Sequence, residues 1–431
     1  MSRAYRVAVV GLGKIGLPVA AQLAGKGHVV IGADVDAAAV ASVTAGTSHV
    51  DEPGLAEAVA AAVRNRRLTA TTDTAQATRS SEVVIVIVPV VVDREKKPDY
   101  KMLDAALRAV GKGLEKDALV LIETTLPVGA TRNHVAPILE RESGLICGKD
   151  FYLAFSPERL YSGRIFQDLA RYPKIVGGVD EESTRRAVAF YQASLDAEVR
   201  GVSNAETAEF AKLAETTYRD VNIALANQLA LYGGARGADT KEAFVAANTQ
   251  PFSHLHRPGI GVGGHCIPVY PHFLLNDSRT GELELVRVAR EVNDGMAARC
   301  LGWLDDAMGG LGGARVLVLG LSYREDVKEL SFSTALAVIE LLHRAGAVVL
   351  AHDPHFTAEE IAGLGVEVVV LDKPVAVDAV IVQAFHREYR ELDWARLTGL
   401  RAVLDGRGTL DATTLRARGV TVISVAQPPG P

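Results

Sequence analysis

Cysteine is scarce in this chain, and the little there is does not suit cross-linking. Cys147, Cys266 and Cys300 are odd in number and widely spaced, with no CxxC pair. That pattern excludes a disulfide framework and fits a reducing, cytoplasmic compartment. Long apolar runs are missing too, none approaching the ~18 residues of a membrane span. The apolar opening Tyr5–Val10 runs into a glycine turn rather than a signal-peptidase site. Nor is basic charge in excess: 46 Lys and Arg against 52 Asp and Glu leave a net charge of −6. This argues against nucleic acid or an anionic membrane as the main partner. What remains is a globular chain of 431 residues, 48% hydrophobic, long enough for two or three domains with their own cores.

Residues 6–16 read RVAVVGLGKIG, an apolar strand entering Gly11-Leu12-Gly13-Lys14-Ile15-Gly16 and then an apolar helix. Gly11 permits the tight turn, Gly13 lets the backbone approach a pyrophosphate, and Gly16 lets helix and strand pack closely. The helix N-terminus then offers free N–H groups to phosphates. A second strand, His28–Ala33, ends at Asp34, near the ~20-residue distance expected of a carboxylate that binds the adenosine ribose. Asp36 follows and no arginine is close, so a 2′-phosphate would be repelled. NAD is the expected cofactor, not NADP.

Apolar strands at Val83–Val88 and Ala118–Glu123 alternate with helical patterns at Ala56–Val63 and Met102–Leu114. The pattern predicts a parallel, doubly wound sheet, with ligands beyond the carboxyl ends of its strands. Pro89 and the stretch Thr124-Thr125-Leu126-Pro127 fall there. The two threonines suit either a ligand-facing loop or a simple turn.

From Asn204 to Leu231 there is neither proline nor glycine, and Phe210, Leu213, Val221, Leu225 and Leu229 recur at helical spacing. One long helix is expected, capped by Asn204, and such a helix suits a homodimer interface. Past the glycines at 309–313 an α/β pattern restarts: strands at Arg315–Leu319, Ala347–His352, Val366–Leu371, Ala379–Gln383, Ala402–Leu404 and Val420–Val425, with a helix at Ala335–Arg344. The turn at Gly320 lacks the full GxGxxG. Arg407 follows a strand end, where a guanidinium could clamp a phosphate or carboxylate, or simply be solvated. The expected fold is therefore α/β: two Rossmann-like doubly wound domains, 1–200 and 306–431, joined by a long central helix and helical dimerisation domain, 201–305.

The stretch Gly261–Tyr270 (GVGGHCIPVY) sets Cys266 behind two adjacent glycines. Its thiol could be a nucleophile, a metal ligand or a small apolar filler. His254, His256, His265 and His272 lie around it, but their spacing is irregular and no HExxH accompanies them, so no metal is expected. A Cys–His hydrolase would leave both dinucleotide-type folds unused.

These landmarks, taken in order, resemble the UDP-glucose/GDP-mannose dehydrogenase family, the nucleotide-sugar 6-dehydrogenases. The resemblance is carried by 11–18, Glu52–Leu55, Thr124–Pro127, Ser156–Arg159, Ala211–Leu213, 261–268, Ala289–Asn293, Gly320–Arg324 and Asp405–Arg407, nearly the whole chain. It implies an NAD domain, a helical dimerisation domain and a C-terminal domain that binds a UDP-sugar. It also implies oxidation of the sugar C6 alcohol to a carboxylate with two NAD⁺. On this resemblance Cys266 matches the nucleophile, Lys212 the cation that stabilises the alkoxide or oxyanion, and Glu158 the water-activating carboxylate. Thr125 matches the threonine that positions that water and contacts cofactor. Glu158, Arg159, Leu160, Lys212, Gly263, Arg324 and Arg407 match substrate-binding positions, and Pro89 a cofactor-binding one.

The chain departs from the family pattern at four places. Tyr270 replaces an aspartate, Thr216 an asparagine, Ser331 an arginine, and Val90-Val91 a Thr-Pro pair. A phenol is no carboxylate base at neutral pH, so Tyr270 puts the proton path in question. The run Ala246–Pro251 with the following loop looks closer to the N-acetylhexosamine branch. UDP-N-acetylglucosamine or UDP-N-acetylmannosamine is the expected substrate, with UDP-glucose as runner-up and a non-catalytic binding relative as the other class.

Overall fold

A computed structural model describes residues 3–427, in two compact units: 1–215 with 272–277, and 216–271 with 278–431. The first is built on an eight-stranded sheet. From one edge to the other it runs Val199–Gly201, Lys174–Gly178, Tyr152–Phe155, Leu119–Ile122, Val83–Val86, Arg6–Val10, Val29–Ala33 and Leu68–Thr71. The central strands are short, aliphatic and buried throughout, as strands covered on both faces must be. Val7, Val9, Leu12, Leu17, Leu23 and Ile85 form the core under one face.

Neighbouring strands pair in parallel with one exception. The strands expected from the sequence do pair in parallel, while Lys174–Gly178, which the sequence did not indicate, runs antiparallel to Tyr152–Phe155. Gly177 and Gly178 are what the arrangement requires: a Cβ on Gly177 would stand 2.0 Å from the Asn204 carbonyl oxygen, and one on Gly178 2.4 Å from the Thr184 nitrogen. Chain therefore crosses tightly over that edge.

The long helix spans Ala205–Gly234, and Asn204 caps it, its side-chain oxygen accepting from the Thr207 N–H at 2.8 Å. A second long helix, Glu284–Met308, packs into the core of the second unit through Met296, Cys300, Leu301 and Leu304. That unit carries a six-stranded, all-parallel sheet ordered Glu367–Val368, Val348–His352, Arg315–Leu319, Ala379–Val382, Ala402–Asp405 and Thr421–Ser424. The strand expected over Val366–Leu371 shrinks to Glu367–Val368. It lies at the sheet edge, and the chain leaves the ladder towards Pro374, which cannot donate to one.

Candidate active site

In the first unit the carboxyl ends of four parallel strands gather Gly11, Pro89, Thr124-Thr125 and Ser156–Arg159 along one edge. Gly11 sits at φ +95, and a Cβ there would strike the Ile87 carbonyl oxygen at 2.4 Å. A Cβ on Gly16 would lie 1.8 Å from the Gly11 oxygen, so helix and turn touch backbone to backbone. Gly13 differs: it is exposed and a Cβ would meet nothing within 4 Å, which leaves the approach open for a ligand. Lys14 is exposed and Ile15 half-buried, and the helix Gly16–Gly25 starts with no side-chain cap. Its first N–H groups therefore suit a pyrophosphate. Asp34 is half-buried and braced on both oxygens, by the Leu12 N–H at 2.6 Å and the Asp36 N–H at 2.9 Å. These residues fit a dinucleotide. Thr125 is buried, and the neighbouring Thr124 hydroxyl ties its loop to the Val88 carbonyl at 2.7 Å, beside the exposed Pro89.

Glu158, Arg159 and Leu160 follow the strand Tyr152–Phe155 and are half-buried. Lys212, near the start of the long helix, donates from Nζ to the Glu158 carbonyl oxygen at 2.8 Å. The Glu158 carboxylate pairs with Lys174, a buried cation that the sequence did not single out. Arg159 donates to the Pro173 carbonyl and faces Glu215 at 3.6 Å, and Leu160 packs on the core. Glu52 turns out to be an anchor: its carboxylate accepts from the Gly163 and Ile165 N–H groups, each at 2.7 Å, and so fixes the loop behind Glu158. On the long helix Glu209 accepts from Gly129 at 2.5 Å and from the Thr131 N–H at 2.8 Å and hydroxyl at 2.6 Å, which holds the loop carrying Thr125. Burial outweighs these donors and pushes Glu209 up to about 7.

In the second unit the cysteine loop is pressed against the stretch 321–334. A Cβ on Gly263 would come 2.6 Å from Tyr323 Cβ, and one on Gly261 2.7 Å from the Thr334 methyl. Gly264 has φ +94, a conformation that favours glycine. Cys266 is half-buried, and its carbonyl accepts from Val269 and Tyr270, which starts the short helix Tyr270–Leu275. Arg407 brackets this region. It donates to the carbonyls of Gln383 at 2.7 Å, Tyr323 at 3.0 Å and Gly261 at 3.3 Å. Burial pulls its pKa below the usual arginine value, but a guanidinium stays charged there. Three of its five N–H groups donate to these carbonyls. Arg324 donates from Nε to the Tyr323 hydroxyl at 3.1 Å.

A polar chain missed at the sequence level supports the loop from behind. Arg290 pairs with Asp220 at 2.6 Å, Asn293 donates to Asp220 at 2.8 Å and accepts from the Asn227 amide at 3.1 Å, and Asn227 accepts from the Gly259 N–H at 2.9 Å. The signal was present: Arg290 and Asn293 lie in a quoted motif, and Asp220 and Asn227 stand seven apart on one helix face. Among the described residues, Asp326, His355 and His386 bring one ligand-type atom each within 4.8 Å. Both His386 nitrogens are already used, Nδ1 by the Asp326 N–H at 2.9 Å and Nε2 by Asp353 at 3.0 Å.

Three family models match the chain in order: the UDP-glucose/GDP-mannose dehydrogenase family NAD binding domain over residues 5–195, its central domain over 206–295, and its UDP binding domain over 317–412. The chain is 34% identical over 413 residues to a UDP-N-acetyl-D-mannosamine dehydrogenase of Pyrococcus horikoshii, covering 94% of this chain and 96% of the relative. It is 33% identical to an NDP-N-acetyl-D-galactosaminuronic acid dehydrogenase of Ralstonia solanacearum, covering 95% and 97%. Among solved structures, a UDP-glucose dehydrogenase from Pyrobaculum islandicum superposes with a TM-score of 0.88 at 29% identity, covering 99% of this chain and 98% of that one.

Proposed function

Because the chain belongs to the UDP-glucose/GDP-mannose dehydrogenase family, we propose that it carries the C6 alcohol of UDP-N-acetylmannosamine to the carboxylate by two successive oxidations. It is an NAD-dependent oxidoreductase of the UDP-sugar dehydrogenase kind. The observation that carries the reading is the pairing of Lys212 and Glu158 at the carboxyl edge of the NAD-type sheet, a fixed cation against the backbone of a buried-side carboxylate. The choice of sugar follows the relatives named for UDP-N-acetyl-D-mannosamine in Pyrococcus horikoshii and Escherichia coli. UDP-N-acetylglucosamine comes next, and UDP-glucose has the structural likeness to the Pyrobaculum enzyme in its favour.

Bound NAD⁺ supplies the hydride acceptor in each oxidation. Gly11, Leu12, Gly13, Lys14, Ile15, Gly16, Asp34, Pro89 and Thr125 are the residues we assign to holding it. The remaining chemistry falls to side chains of the chain. Lys212 stabilises the negative charge that develops on the C6 oxygen as the hydroxyl proton passes to solvent water. An aldehyde is a poor donor for a second hydride, so the Cys266 thiolate adds to its carbonyl carbon and forms a thiohemiacetal. Oxidation of that adduct leaves a thioester on Cys266. Water then attacks its carbonyl carbon, the C–S bond breaks, and Glu158 takes the water proton. Arg159, Leu160, Gly263, Arg324 and Arg407 are assigned to the UDP-sugar.

A homodimer fits the long helix, which exposes Leu225, Leu229 and Tyr232 at i, i+4 and i+7. No helix among the described residues is long and apolar enough to cross a membrane, and we place the enzyme in the cytoplasm. The test is a panel of UDP-sugars with NAD⁺, read as NADH formed per sugar consumed. Two NADH per UDP-N-acetylmannosamine is expected. One NADH, or a better rate with UDP-glucose, would overturn the mechanism or the substrate respectively.

A further inference from the structure

We propose that Lys174 is a positioning residue for Glu158, holding its carboxylate in the conformation that accepts the proton of the hydrolytic water. The inference rests on the functional reading above and concerns one step of it. Lys174 opens the strand Lys174–Gly178, which runs antiparallel to its neighbour Tyr152–Phe155, and its side chain is 6% exposed. Its ammonium meets two carboxylates: Glu123 Oε1 at 3.0 Å and Glu158 Oε1. It also lies 4.9 Å from the ring centre of Tyr191.

The far side of this cluster is an anchor. Tyr191 donates its hydroxyl to the same Glu123 oxygen that Lys174 contacts, while Glu123 Oε2 is buried and has no hydrogen-bond partner. Glu123 is thus met at one oxygen by two donors, and its side chain is 1% exposed. Burial lowers the Lys174 pKa and Lys212 adds to that, while the charge and hydrogen bond of Glu123 oppose both. Glu158 stands at the open end, with a side chain 10% exposed. Its backbone oxygen is held by Lys212 and its carboxylate by Lys174. Two lysines therefore meet one glutamate at two different groups, Lys212 at its backbone oxygen and Lys174 at its carboxylate.

This separation predicts which half of the reaction Lys174 governs. Oxidation of the alcohol uses Lys212, whose bond to the Glu158 backbone does not pass through Lys174. Thioester hydrolysis uses the Glu158 carboxylate. In hydrolysis the water oxygen bonds to the acyl carbon, the sulfur leaves as the Cys266 thiolate, and the water proton passes to the Glu158 carboxylate. Lys174 neither gains nor loses a proton in it.

The experiment is rapid-mixing kinetics on the full-length enzyme with UDP-N-acetylmannosamine and NAD⁺, coupled to intact-mass analysis of quenched protein. Lys174→Met should leave the first NADH phase within about threefold and slow steady turnover on the order of 100-fold, the cost of a misplaced catalytic group. The acyl-enzyme mass should accumulate on Cys266. Lys174→Arg, which keeps the charge, should restore most of the steady rate. If the methionine variant does not fold, Tyr191→Phe serves, since it removes one donor from Glu123 and should slow the same phase alone. Equal loss in both phases, or no rescue by arginine, would overturn the inference and leave the functional reading intact. An unmutated enzyme that forms two NADH per sugar without any Cys266 adduct would overturn both.

Discussion

Arg407 offers the sharpest test of how the cysteine loop is held. Its guanidinium donates to three backbone carbonyls, of Gln383, Tyr323 and Gly261, from three separate segments of the second unit. Hydrogen bonds to a charged donor contribute roughly 1.5–3 kcal/mol each. Their plain sum overshoots, because the guanidinium was taken out of water to make them. Truncation to alanine should therefore cost about 2–4 kcal/mol of stability, the bond at 3.3 Å contributing least. Lysine keeps the charge but reaches one carbonyl at a time, so Arg407→Lys should recover less than half. The protein has a built-in reporter for this unit, since both tryptophans, Trp303 and Trp394, lie within 278–431. Urea unfolding followed by tryptophan fluorescence reads the loss directly, and KM for the UDP-sugar is measured beside it. The expected outcome is a lowered midpoint together with a KM raised by one or more orders of magnitude. A raised KM with a midpoint unchanged would refute the bracket and make Arg407 a ligand clamp alone.

Asp34→Ala should weaken NAD⁺ and relax discrimination against NADP⁺, measured as the ratio of kcat/KM for the two cofactors; equal use of both by the unmutated protein would count against the assignment. Glu209 has a pKa raised from 4.5 to about 7 by burial, so its contribution is present below 4.5 and lost as pH rises through 7, worth up to about 3 kcal/mol. Glu209→Gln should flatten the stability–pH curve of the first unit over that range, and a slope equal to that of the unmutated protein would sink the argument. Cys266→Ser should keep the fold but stop sustained turnover, because a hydroxyl is far less ionised than a thiol and an ester hydrolyses more slowly than a thioester. Near-normal oxidation to the acid by that variant would remove Cys266 from the mechanism.

How much of this was legible in the sequence depended on how local the signal was. Gly11, Gly13, Gly16 and Asp34 lie within one βαβ stretch, and their spacing states their geometry. The long helix was legible from its caps and its period. Lys174 was not. Its partners Glu123 and Glu158 are 51 and 16 residues away, and they meet only because the strand Lys174–Gly178 runs back against Tyr152–Phe155. Periodicity gives strands but not their direction. Asp220 and Arg290 escaped for a related reason: a buried ion pair between two helices looks, in each helix alone, like an ordinary polar residue on an apolar face. The Glu52–Leu55 motif was found, yet its role was hidden, because Glu52 acts on backbone N–H groups more than a hundred residues away.

The second unit repeats the turn of the first and closes it. Gly320 at φ +80 stands where Gly11 stands, and the Leu321 N–H donates to Asp353 at 2.7 Å as Leu12 donates to Asp34. The N–H two residues past each aspartate completes the brace, from His355 as from Asp36. There the likeness stops. Burial works to raise Asp353, but the hydrogen bond and charge of His386, with the N–H groups of Leu321 and His355, hold its carboxyl below the ordinary value. The Asp353 oxygen that accepts from Leu321 is also met by that imidazole at 3.0 Å, a contact Asp34 lacks among the described residues. The helix that should follow the turn does not begin until Thr334, so its N-terminus is not presented to a phosphate beside Gly320. A dinucleotide held as in the first unit therefore has neither its ribose contact nor its phosphate contact in the second. The stretch between Gly320 and Thr334 packs instead on the glycines of the cysteine loop, through Tyr323 and Thr334. The same strand–turn–strand unit thus serves one half of the chain as a dinucleotide-type cradle and the other as a scaffold on which the Cys266 loop is laid.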